Sequence, residues 1–249
     1  MSKQLNVIVL CGGFGTRIKS SIGNIPKILA PINQIPFINY FLKWLNPILS
    51  INGVQLTFST FYNFTPILNY IEKENINCNF SIDSKAYGTF GAACKAALDY
   101  PSENYMIING DTIFFADLVS IYKSFLEKNE DPYLILKKTD QNNRYGGYKL
   151  DKGKFIFSDN NAKNISLGVY FISHPELIRR WELSTKSLLS HQNINDFKEY
   201  PLMNDKDCLG LEPINGVCLG ANTPFIDIGI RESFLRSQKE IPFIINSYN

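Results

Sequence analysis

Hydrophobic positions along this 249-residue chain switch repeatedly between short apolar runs and helical stripes. Val7 to Leu10 is a four-residue apolar run closed by glycines, the pattern of a buried strand ending in a tight loop. From Pro36 to Leu49 the apolar residues Phe37, Ile38, Phe41, Leu42, Trp44 and Leu45 form a helical stripe, expected to break near Pro47. Val54 to Thr60 reads as a second strand. Thr65-Pro66 then opens a helix to about Lys73, with Thr65 as cap and Pro66 as first helical residue. Phe80 to Ile82 is a short third strand, Ala92 to Leu98 a helix rich in alanine, and Tyr105 to Ile108 a fourth strand. Asp117 caps a helix from Leu118 to Glu127.

This strand–loop–helix alternation predicts an open, mainly parallel sheet covered by helices on both faces, a Rossmann-like three-layer arrangement. In such sheets ligands lie beyond the carboxyl ends of the strands. Gly12, Asp83 and Asp111 all fall at such ends. The second half has an antiparallel texture. Tyr133 to Lys138 reads as a strand, and Gly147 to Leu150 with Lys154 to Phe157 flank Asp151-Lys152-Gly153 as a hairpin. Leu167 to Ile172 is another strand and Pro175 to Trp181 a helix. Leu209 to Ile214 and Pro224 to Ile226 look strand-like, and Ile230 to Lys239 closes the chain as a helix. No repeat, low-complexity tract or linker interrupts the pattern. The expectation is one domain over residues 1–249, with a nucleotide-binding half (about 1–130) and an acceptor-binding half (about 131–249).

The chemistry gathers around the first strand. Cys11-Gly12-Gly13-Phe14-Gly15-Thr16-Arg17 follows it, and Pro26-Lys27 lies ten residues beyond Arg17. Glycines let backbone N–H groups crowd an anion, while Arg17 and Lys27 add the charge that a polyphosphate requires. The dinucleotide fingerprint is excluded because Ile18 stands where its third glycine belongs, and the Walker loop because G-x-x-x-x-G-K-[ST] is absent. A triphosphate site remains.

Bulk properties narrow the partners. There are 25 basic and 23 acidic residues, a net charge of +2, so nothing global favours nucleic acid or a membrane surface, and any anion site must be local. Five cysteines without a C-x-x-C pair suggest free thiols in a reducing compartment. The apolar run after Lys3 is too short for a signal peptide, and no run approaches a membrane span. The expected address is the cytoplasm. A homo-oligomer stays open.

The elements G-G-x-G-T-R, Pro26-Lys27 and Ala30-Pro31-Ile32 together resemble the sugar-1-phosphate nucleotidyltransferases, whose fold is Rossmann-like and similar to GT-A. The likeness runs from Val7 to about Lys239. It implies transfer of a nucleoside monophosphate to a sugar 1-phosphate, with pyrophosphate leaving and Mg²⁺ as cofactor. By the same resemblance, Arg17, Lys27 and Asp111 would carry catalysis. Leu10, Gly12, Gly13, Gly15, Thr16, Asp83, Gly88 and Thr89 would join them around the nucleotide. Asp111, in Asn109-Gly110-Asp111, and Asp227, in Phe225-Ile226-Asp227-Ile228-Gly229, match the family's metal aspartates. Gly88-Thr89-x-Gly91-Ala92 resembles the family's L-G-T-A-G-A, with Tyr87 and Phe90 as substitutions.

Asp83 stands five residues before Gly88, where the family places a base-reading side chain. A carboxylate there accepts two hydrogen bonds from guanine and finds no such pair on uracil, which points to GTP. Arg144-Tyr145-Gly146 resembles the R-Y-G beside the acceptor sugar, and Gly168 falls in the counterpart of N-A-G-I-Y. The usual F-x-E-K-P is replaced by Phe157-Ser158-Asp159-Asn160-Asn161-Ala162-Lys163, leaving Lys163 as the candidate for the acceptor phosphate. Acceptor candidates are therefore Tyr145, Gly146, Lys163 and Gly168. The C-G-G-x-G-T-R opening, the short length and the closing F-I-D-I-G look most like the D-glycero-D-manno-heptose 1-phosphate guanylyltransferases. A cytidylyl- or uridylyltransferase, and a non-catalytic nucleotide-sugar binder, stay open as alternatives.

Overall fold

The computed structural model describes residues 4–139, 147–158, 162–188 and 202–246. Strand β1 (Leu5–Leu10) leads through the glycine loop to α1 (Lys19–Ile22), a 3-10 turn (Lys27–Leu29) and the small hairpin of β2 (Pro31–Ile32) and β3 (Ile35–Pro36). Then come α2 (Phe37–Leu49), β4 (Val54–Thr60), α3 (Thr65–Lys73), β5 (Asn79–Ile82), α4 (Gly88–Asp99), β6 (Asn104–Asn109), β7 (Thr112–Phe114) and α5 (Leu118–Lys128). The second half contributes β8 (Tyr133–Lys138), β9 (Gly147–Asp151), β10 (Lys154–Phe157), β11 (Asn164–Ser173), α6 (His174–Leu188), α7 (Asp205–Leu209), β12 (Asn215–Leu219), β13 (Phe225–Asp227) and α8 (Arg231–Asn246).

A nine-stranded mixed sheet runs in the order β10-β9-β11-β6-β1-β4-β5, with β8 also paired to β11 and β12 paired to β8. β1 is central and parallel to both neighbours, Leu5 standing beside Val54 on β4 and beside Asn104 on β6. β11 runs antiparallel to β6, which places its start at the same edge where β6 ends. Alternation along β1 divides the core. Val7 and Val9 pack with Phe58, Met106, Phe41 and Trp44 under α2, α5 and α8. Ile8 faces the other way, with Ile107, Phe90, Ala93 and Trp181 under α4 and α6. The small residues Ala93, Ala96 and Ala97 let α4 lie close on the sheet. Large side chains such as Trp44, 1% exposed and 4.9 Å from the Phe114 ring, each contribute about 2–3 kcal/mol by burial.

Several expected boundaries shift. α2 continues through Pro47, because the stripe Trp44, Leu45 and Ile48 is buried and Ser50 N–H closes the last turn on Asn46. Thr65 is the first residue of α3 and does not cap it. The N-cap position is Phe64, and Asn63 makes the preceding turn at φ 53°. α4 begins at Gly88, the first residue of the Gly88-Thr89-x-Gly91-Ala92 segment and four residues before Ala92. The stretch Leu209 to Ile214 is no strand. Leu209 ends α7, and the strand that follows is Asn215–Leu219. Asp117 does cap α5, its carboxylate accepting from Ser120 N–H at 3.0 Å. No helix among the described residues is long and apolar enough to cross a membrane.

Candidate active site

The carboxyl ends of β1, β4, β5 and β6 surround a cleft of about 370 Å³. Backbone hydrogen bonds knit its rim: Cys11 N–H to Ser59 O at 2.9 Å, Gly110 N–H to Leu10 O at 2.9 Å and Asp83 N–H to Thr60 O at 2.7 Å. Leu10, Gly12, Gly13, Arg17, Lys27, Asp83, Gly88, Thr89 and Asp111 all line it, so most of the residues proposed for the nucleotide meet around one cleft. Gly15 and Thr16 do not. Thr16 is exposed, and Gly15 borders a smaller neighbouring hollow beside the Lys27 stem. Phe14 rests on Phe61 and Tyr62, with ring centroids 5.8 and 5.1 Å away, and so steadies the loop.

The 3-10 turn after Pro26 buries Ile28 and swings Lys27 over the end of β6, where its ammonium donates to Asp111 Oδ2. Burial alone would raise the Asp111 carboxyl. Lys27, through charge and hydrogen bond, then Thr112 and the charge of Arg17 bring it below the ordinary carboxylate value instead. Asp111 is thus held as an anion among cations. Asp227 lies beside it. β13 pairs antiparallel with β7 so that Asp227 stands opposite Thr112, and Ile228 N–H donates to Asp111 O at 2.9 Å. Asp227 is buried, accepts from Gly229 N–H at 2.7 Å, and is not among the residues lining the cleft. Two aspartates on adjacent backbone segments offer the oxygen donors that a hard divalent cation prefers. Among the described residues no cluster of three or more His, Cys, Asp or Glu exists, so such a cation would draw its other oxygens from phosphate and water.

Asp83 closes the far end at the tip of β5. It is 6% exposed, and its Oδ1 has no hydrogen-bond partner among the described residues. Burial pushes its pKa up to about 7, Lys95 pulling it down and Asp99 pushing it further up. Lys95 is itself committed to Asp99, to which Ser81 also donates.

Gly88 and Thr89 have a second task. Gly88, at φ +79°, lies so close to the chain at Met203 that a Cβ would come within 2.2 Å of Met203 O. Phe90 and Gly91 N–H both donate to that carbonyl, and Asp205 N–H donates to Thr89 Oγ1 at 2.9 Å. The start of α4 is therefore capped by a segment more than a hundred residues away. That segment brings Leu202 and Asn204 into the cleft wall, residues the sequence reading missed. One local signal was available, the capping box between Asn204 and Asp207. Asn109, Ser59 and Phe61 also line the cleft without having been singled out.

The acceptor candidates fare differently. Tyr145 and Gly146, with Arg144, lie outside the described residues. Lys163 is exposed just before β11, where its carbonyl accepts from Thr139 N–H, and it does not line the cleft. Gly168 does not line it either. It sits in a β-bulge of β11 against Asn109, so its contact with the cleft is indirect.

Comparison with known proteins gives the family. The nucleotidyl transferase family model matches residues 6–166. The chain is 32% identical over 248 residues to D-glycero-alpha-D-manno-heptose 1-phosphate guanylyltransferase of Aneurinibacillus thermoaerophilus, covering 97% of this chain and all of that one. The enzyme of the same name from Campylobacter jejuni is 36% identical over 157 residues, 62% of this chain and 67% of that one. Among solved structures, HddC from Yersinia pseudotuberculosis complexed with GMP-PN superimposes with a TM-score of 0.67 at 25% identity, over 94% of this chain and 98% of that one. With a glycine loop, a paired cation and carboxylate, and this match over most of its length, the chain belongs to the nucleotidyl transferase family.

Proposed function

We propose that this protein transfers guanylate from GTP to a sugar 1-phosphate of the D-glycero-α-D-manno-heptose type, releasing pyrophosphate and supplying an activated sugar for glycan synthesis. One observation carries the reading: a single cleft joins the glycine loop, the Lys27–Asp111 pair and the buried carboxyl of Asp83. An identity of 32% over nearly the full length to a heptose 1-phosphate guanylyltransferase supports the choice of substrates.

An oxygen of the acceptor phosphate attacks the α-phosphorus, and the bond from that phosphorus to the β-phosphate oxygen breaks. Its electron pair leaves with pyrophosphate, and no proton need move. The residues place and neutralise. Backbone N–H groups of Gly12 and Gly13 would face the phosphates, Arg17 and Lys27 would offset their charge, and Asp111 with Asp227 would hold the cation. Nucleotidyltransferases generally use a divalent metal; we assign Mg²⁺, which when bound would neutralise the phosphate oxygens and the leaving pyrophosphate. Residues 1–249 are read as one domain, the nucleotide side over about 1–130 and the acceptor side over the rest. The cytoplasm, where nucleoside triphosphates are made, is the assigned compartment.

Asp83 supplies the test of base choice. Its carboxylate form accepts from guanine N1–H and the exocyclic amine, whereas the protonated form offers a donor where guanine also has one. With the carboxyl at about 7, the KM for GTP falls as pH rises from 6 to 8 and then levels. Asp83→Asn abolishes both this slope and most of the preference for GTP. Pyrophosphate release from the four triphosphates, each with D-glycero-α-D-manno-heptose 1-phosphate and Mg²⁺ at several pH values, checks the prediction. Equal turnover of UTP or CTP by the native protein refutes the guanylyl assignment.

A further inference from the structure

Asn109 ends β6 two residues before Asp111, and the residue lines the cleft. Its carboxamide makes no hydrogen bond among the described residues. On one side β6 is paired with β1, Leu10 beside Asn109, and on the other with β11, Val169 beside Ile108. The register of β11 shifts between Ser166 and Val169, and in that bulge Gly168 adopts φ +69° with its N–H bound to Ser166 Oγ at 3.1 Å. A Cβ on Gly168 would fall 2.2 Å from Asn109 Nδ2 and 2.8 Å from Asn109 Cγ. The bulge is shaped around the carboxamide. A polar group that is packed from behind, unpartnered and open to a cleft is a ligand contact in waiting.

Position along the sheet identifies the ligand. From its β5 edge the cleft presents Asp83, then the glycine loop after β1, then Asp111 after β6, with β11 beyond. Base, phosphates and reaction centre follow in that order, so the acceptor sugar belongs on the β11 side. Its 1-phosphate must reach the reaction centre, and the hydroxyl next to the anomeric carbon is the first sugar group behind that phosphate. On the guanylyltransferase reading above, we propose that Asn109, seated by the Gly168 bulge, hydrogen-bonds this 2-hydroxyl and selects its stereochemistry.

The test compares D-glycero-α-D-manno-heptose 1-phosphate with its 2-deoxy analogue, GTP being the donor. In the native protein the analogue costs about tenfold in kcat/KM, the worth of one hydrogen bond. Asn109→Ala raises the KM for the sugar phosphate about tenfold, keeps the KM for GTP within twofold, and erases the penalty of the analogue. Asn109→Ser, a gentler change, follows in the same direction. Gly168→Ala reproduces the acceptor defect by displacing Asn109, and the double variant is no worse than the poorer single one. An unchanged 2-deoxy penalty in Asn109→Ala, or an equal loss for GTP, overturns the inference alone. Native protein that releases no pyrophosphate with any sugar 1-phosphate overturns the transfer reading and this inference with it.

Discussion

Lys27→Ala lowers turnover by roughly three orders of magnitude while the fold persists. Among the described residues, Lys27 and Arg17 are the two cations lining the cleft where the leaving pyrophosphate must be neutralised. Lys27 also sustains Asp111, whose carboxyl stays below the ordinary value chiefly because the ammonium opposes the effect of burial. Without Lys27 that opposition is lost and burial raises the carboxyl. Activity in the native protein requires Asp111 as an anion and so fails only in acid, below the usual carboxylate range. In Lys27→Ala the acid limb of the residual activity moves to higher pH. The pair is about one-fifth exposed, so its loss costs stability only on the order of 1 kcal/mol. Single-turnover pyrophosphate release against pH, with a thermal melt alongside, measures both consequences. Turnover within tenfold of native sinks the assignment.

Asp111→Asn has an effect of the same size through a different defect. The amide preserves shape and the neighbouring Thr112 hydroxyl contact at 3.3 Å, but it removes the charge that a divalent cation needs. Turnover falls about a thousandfold, and the metal concentration for half-maximal activity rises at least tenfold. Asp227→Asn shows the same rise, because Asp227 sits one paired strand away from Asp111. The double variant is about as impaired as the worse single one, since two ligands of one ion act as a unit. Mn²⁺ paramagnetic resonance in the presence of GTP reads the loss of metal apart from the loss of rate. A metal requirement unaltered in both single variants would falsify the shared site.

The parts of this architecture with a local cause were legible in the chain. β1 and its glycine loop, the parallel strands β4 and β6, the Asp117 cap and the Asp151-Lys152-Gly153 hairpin each follow from neighbouring residues. What escaped depends on distant partners. The cap of α4 is the Met203 carbonyl, more than a hundred residues from Gly88, so nothing near the helix start announces that partner. β7 has three residues and exists because β13 lies against it, too short for any period to show. Pro47 is tolerated because burial of Trp44 and Ile48 outweighs one missing donor. The same division holds in the cleft. Arg17, Lys27, Asp83 and Asp111 carry charge in recognisable surroundings, whereas Leu202, Asn204 and Asn109 are unremarkable residue types whose importance comes only from where the fold puts them.

The two-sided pairing of β6, with β1 along one edge and β11 along the other, constrains how this scaffold can change. A fragment ending in mid-chain would bare a row of unclaimed amides and carbonyls beside Met106, Ile107 and Ile108, the kind of edge that recruits other chains.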